Sequence, residues 1–91
     1  MFYSVPGYKT ETFRTNENPA YCVDIVTDNI SVPPMYHAWI YRPIDGQIKM
    51  YMFGFDKREC KNKQEFITVV ESNIKSYIEG YKHFLELSIN D

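Results

Sequence analysis

The chain has 91 residues, 44% hydrophobic and 16% aromatic, with 10 basic and 12 acidic side chains and a net charge of −2. Hydrophobicity this high excludes a disordered chain, and a length near the lower limit for independent folding predicts one domain, 1–91, around one core. The mixed, slightly acidic charge neither recruits a nucleic-acid backbone nor imitates one.

At the N-terminus, Met1-Phe2-Tyr3-Ser4-Val5 carries no basic run, and Pro6-Gly7 interrupts its apolar residues, so no secretory leader is expected. No apolar stretch approaches the roughly 20 residues of a membrane span. These features predict a cytoplasmic chain with no membrane partner. Cys22 and Cys60 stand in no metal or redox spacing, and two free thiols are expected.

Residues 8–14 are Thr-rich and read as an edge strand, turned by Thr15-Asn16-Glu17-Asn18-Pro19. A second strand spans residues 20–27, with Tyr21, Val23 and Ile25 on one side. The segment around Pro33-Pro34 connects it to a hairpin of residues 36–42 and 47–53, both rich in aromatic and β-branched residues. Pro43-Ile44-Asp45-Gly46 supplies the turn, with Gly46 placed for a positive φ.

Parity suggests the hairpin register. A three-residue loop sets Trp39 opposite Tyr51, His37 opposite Phe53, Ile40 opposite Met50 and Ala38 opposite Met52. One face is then aromatic and the other aliphatic, whereas a shift of one residue would mix them.

Asn62 followed by Glu65 marks a helix start. Phe66, Val70, Ile74, Tyr77, Tyr81 and Phe84 recur at steps of three and four, flanked by Ile67, Ile78 and Leu85. Glu71, Lys75, Glu79, Lys82 and Glu86 form the opposite arc, at spacings that allow successive ion pairs. The helix is predicted over residues 63–87, with Gly80 costing about 1 kcal/mol inside it. The fold class is α+β: an antiparallel β-meander of three to four strands followed by one long C-terminal amphipathic helix packed on one sheet face.

One helix covers one face, yet both faces of the hairpin read as apolar. The other face needs a cover. Residues 1–19, with Phe2, Tyr3, Val5, Tyr8 and Phe13, could fold over it, or a partner could. His37, Trp39, Tyr41, Tyr51 and Phe53 are the candidate binding residues, being of types common in interface cores.

The basic residues of the 56–65 loop are diluted by three acids, and that loop is expected to be solvated. His83 falls on the polar arc of the helix. No nucleophile–base order is recognisable, so no catalytic residue, metal or cofactor is assigned.

The expected function is a small non-catalytic protein-binding or inhibitory module, with a protein partner or a homodimer or higher homo-oligomer. Abundant Ile, Lys, Asn and Tyr beside two Ala and three Arg is a skew that AT-rich genomes produce. That association suggests a phage or mobile-element inhibitor of a host system. The alternative is a small-ligand or single-stranded nucleic-acid binding domain using the same aromatic face as a stacking platform.

Overall fold

The computed structural model describes residues 7–46 and 48–89. Four strands, β1 (Tyr8–Arg14), β2 (Cys22–Asp28), β3 (Met35–Tyr41) and β4 (Lys49–Asp56), precede one helix, α1 (Lys63–Ile89). They form one antiparallel sheet in the order β1-β2-β3-β4, with β1 and β4 at its edges. The architecture is the α+β meander expected from the alternation of strands and the single long amphipathic segment.

The β3–β4 connection is a short 3-10 turn, Pro43–Asp45, closed by Gly46 at φ 80. Arg42 donates from Nε and Nη2 to the Asp45 carboxylate at 2.6 and 3.1 Å, which holds that carboxyl below its ordinary range. Asn62 caps α1, its Oδ1 accepting from the Glu65 amide at 2.9 Å. The helix continues two residues past its predicted end. Its polar arc is exposed, but among the described residues only Lys82 and Glu79 approach to ion-pair distance, 3.5 Å. The other expected pairs do not close, consistent with how little exposed pairs contribute.

The core lies between α1 and one sheet face. Phe66, Val70 and Tyr81 are fully buried against Val23, Ile25, Ala38 and Ile40. Phe66 stacks on Tyr36 at 5.4 Å and meets Phe53 and Phe55 edge-on, both at 5.6 Å. Burying such a ring contributes about 2–3 kcal/mol. Tyr21 meets Tyr81 edge-on at 5.7 Å, and the Tyr81 hydroxyl donates to the Ile48 carbonyl at 3.1 Å. Both cysteines are buried free thiols, and burial pushes the Cys60 thiol up.

The hairpin register departs from expectation at one residue. Trp39 faces Tyr51 and Ile40 faces Met50, as the parity argument gives. Between Ala38 and Trp39 the register shifts, so that Ala38 faces Phe53 and His37 faces Gly54. Met52 is the extra residue of a β-bulge, which reverses the alternation beyond it. Phe53 therefore points to the helix, packing on Phe66 and, at 5.7 Å, on Tyr77. The helix-side face is thus partly aromatic rather than aliphatic, and β4 runs to Asp56.

Candidate functional site: the open sheet face

The alternation of β2 assigns its side chains to two environments. Val23 and Ile25 enter the core, so Cys22, Asp24, Val26 and Asp28 lie on the other face. Register carries this face across the sheet, to Thr10 and Thr12 of β1, to His37, Trp39 and Tyr41 of β3, and to Lys49 and Tyr51 of β4. Among the described residues no element packs over it. Phe2, Tyr3 and Val5, expected as a cover, lie outside the described residues. Tyr8 stands exposed in the edge strand, and Phe13 packs on the helix side instead.

Of the five residues selected from sequence, four are brought together. Trp39 and Tyr51 meet edge-on with ring centroids 4.8 Å apart, and they remain 36% and 42% exposed. His37 lies against Tyr51, and Tyr41 lies beyond Trp39 along β3. Phe53 is the exception, because the bulge turns it to the helix.

Two carboxylates that sequence reasoning did not select organise this face. Asp24 is buried beneath the aromatic rings. It accepts from the Thr12 hydroxyl at 2.6 Å, from Lys49 Nζ at 2.9 Å and from the Tyr41 hydroxyl at 3.3 Å. Lys49 also lies over the Tyr41 ring, 4.6 Å from its centroid. Burial, and next the Asp24 charge, push the Tyr41 phenol up to about 12, so it remains a donor.

Asp28 is held at the other end. It accepts from the Ser31 hydroxyl at 2.6 Å and from the Ser31 and Ile30 amides at 3.0 and 2.9 Å. The Ser31 hydroxyl first, then these amides and His37, lower its carboxyl to about 2 against the opposing effect of burial. His37 Nε2 lies 3.4 Å from Asp28, and His37 Nδ1 lies 2.8 Å from the Tyr51 hydroxyl. With Nε2–H directed at Asp28, Nδ1 accepts from Tyr51.

Gly54 makes room for this chain of bonds. A Cβ there would stand 2.7 Å from His37 Nδ1 and closer still to the Tyr51 hydroxyl. A glycine interrupting a strand between two Phe residues is the sequence signal for the bulge. Asp28 and Ser31, three apart before a proline pair, carry the signature of a side-chain-bonded turn.

The Asp28–His37–Tyr51 order invites comparison with a proton relay. Burial pushes the Tyr51 phenol up, which opposes its activation as a nucleophile. The arrangement orients the phenol and fixes it beside Trp39. A shallow hollow of about 430 Å³ adjoins it, lined by Thr10, Asp24, Val26, Trp39 and Lys49. Among the described residues no group of three His, Cys, Asp or Glu could hold a metal ion, and no helix is long and apolar enough to cross a membrane. Comparisons with protein families, curated proteins and solved structures found no match for this chain.

Proposed function

We propose that this chain is a non-catalytic binding module that engages a protein partner through the open sheet face, centred on Trp39 and Tyr51, and acts by occupying that partner's surface. The observation that carries the reading is a half-exposed Trp–Tyr pair, in mutual contact, seated on side chains already bonded to one another. Rings fixed in this way lose little freedom on binding, which is the property that lets aromatic anchors dominate interface energies. A hydrogen-bonded surround of Asp, Lys, Thr and Tyr resembles the polar rim of such interfaces.

Charge argues against single-stranded nucleic acid on the same rings. Lys49 is already paired with Asp24, and Asp28 and Asp56 lie on this face as well. A stacking platform for nucleic acid needs surplus cations along the backbone path.

The test is comparative capture from host lysate, with wild-type chain, Trp39→Ala and Tyr51→Ala as parallel baits, followed by mass spectrometry. The reading expects proteins retained by the wild type and lost from both folded variants. A folded Trp39→Ala bait that retains the same proteins overturns it. Binding to oligonucleotide that weakens steeply with salt would favour the nucleic-acid reading instead.

A further inference from the structure

The two edges of the sheet differ. The β4 edge is interrupted by the bulge at Met52. The β1 edge is regular over seven residues, contains no proline and is exposed along nearly its whole length. An unprotected edge of this kind is a template for another strand.

Hydrogen-bond alternation shows which residues of β1 face outward. The Gly7 carbonyl accepts from the Asn29 amide at 2.8 Å, and the Thr15 amide donates to the Tyr21 carbonyl at 2.9 Å. Bonded pairs recur every second residue, so residues 9, 11 and 13 direct their amides and carbonyls to β2. Tyr8, Thr10, Thr12 and Arg14 direct theirs outward, away from β2.

Side-chain charge then selects a partner and a register. Lys9 and Glu11 both project on the helix side, where Glu11 is ion-paired with Lys63. Lys9 is exposed and has no ion-pair partner among the described residues. A lone Lys discourages edge pairing, but a Lys two residues from a Glu is self-complementary in one antiparallel register. Centred on Thr10, two copies of β1 place Lys9 opposite Glu11 twice. The two sites are non-hydrogen-bonded pairs, where side chains come closest. Centred on Glu11, the same strands set Glu11 against itself. Centred on Thr12, they set Glu11 against Phe13 and lose the cation.

We infer that the chain forms a two-fold dimer in which the β1 strands of two copies pair antiparallel about Thr10, with Lys9 of each facing Glu11 of the other. The sheet becomes continuous over eight strands, and the two open faces lie side by side on one surface. This interface uses the strand edge and the helix-side charges, and leaves Trp39 and Tyr51 free.

Sedimentation equilibrium of the full chain tests it. The wild type is expected at twice the 10.8 kDa chain mass. Thr10→Pro removes an outward amide that bonds nothing among the described residues, so the variant should stay folded by circular dichroism and sediment as a monomer. Lys9→Glu should raise the dissociation constant about tenfold or more, since it sets like charges opposite at two sites. The exchange Lys9→Glu with Glu11→Lys should restore dimerisation, and this pair decides the matter if Thr10→Pro fails to fold. A wild type of one chain mass at millimolar concentration overturns the proposal. So does a dimer that survives in folded Thr10→Pro, or one indifferent to Lys9→Glu.

Discussion

On the helix side of the sheet, Tyr36, Phe53 and Phe55 close around Phe66, while on the other side His37, Trp39 and Tyr51 lean on one another above two carboxylates. Both groups are aromatic, and composition alone does not separate them. The difference is in what restrains them. The first group is restrained by burial, the second by the contact of His37 with Asp28, the Tyr51–His37 hydrogen bond and the packing of Trp39 on Tyr51, all of which water still reaches in part. A ring held by polar bonds can remain at the surface without collapsing into the core, so an aromatic sheet face is not by itself a core face.

The largest effect expected from this contrast is in a pair of truncations. Phe53→Ala opens a cavity against Phe66 and Tyr77 and should destabilise by about 3 kcal/mol. Trp39→Ala removes the larger ring but leaves no enclosed cavity, and should cost only about 1 kcal/mol. Urea unfolding of both variants measures the two values. Equal losses would mean that the two faces are restrained alike.

Gly54→Ala should come next, at about 1–2 kcal/mol, because its methyl group collides with the Tyr51–His37 contact. Part of that loss should return in Gly54→Ala combined with Tyr51→Phe, which withdraws the hydroxyl. Purely additive costs in the cycle would detach Gly54 from the bond it is argued to permit.

The smallest effect is seen in the pH dependence of stability. The Asp28 carboxyl, at about 2, lies below the ordinary Asp value of about 4. A carboxyl lowered by folding stabilises the fold above its unfolded value, and that stability is lost as pH falls from about 4 towards 2. Asp28→Asn should therefore lower stability at neutral and alkaline pH and flatten the acid limb, the difference from the wild type shrinking as pH falls from about 4 towards 2. An unchanged acid limb would show that Asp28 is not held as its bonds imply.

Much of this arrangement was legible in the sequence. The 3.6-residue period from Phe66 to Phe84, bounded by Asn62, placed α1, and the aromatic runs on either side of Pro43–Asp45 placed the hairpin. The pairing of Trp39 with Tyr51 followed from loop parity. Phe53 was misplaced because a single inserted residue inverts every side chain beyond it, and Gly54 was the one local sign of the insertion. Asp24 and Asp28 were not chosen as site residues for another reason. Their positions opposite Trp39 and Met35 depend on the register between β2 and β3, which the long Pro-containing connection leaves unfixed. Tyr77, placed on the core stripe, is only half-buried, because α1 leans over β3 and β4 and leaves part of its flank free.

The chain contains a single tryptophan, so the fluorescence of Trp39 reports the centre of the open face directly. The decisive measurement is acrylamide quenching of that emission, alone and with a protein captured by the wild-type chain. The account predicts a readily quenched Trp39 in the free chain, and a blue-shifted, protected Trp39 in the complex. A Trp39 already shielded in the free chain, or one whose quenching does not change when the complex forms, would contradict it.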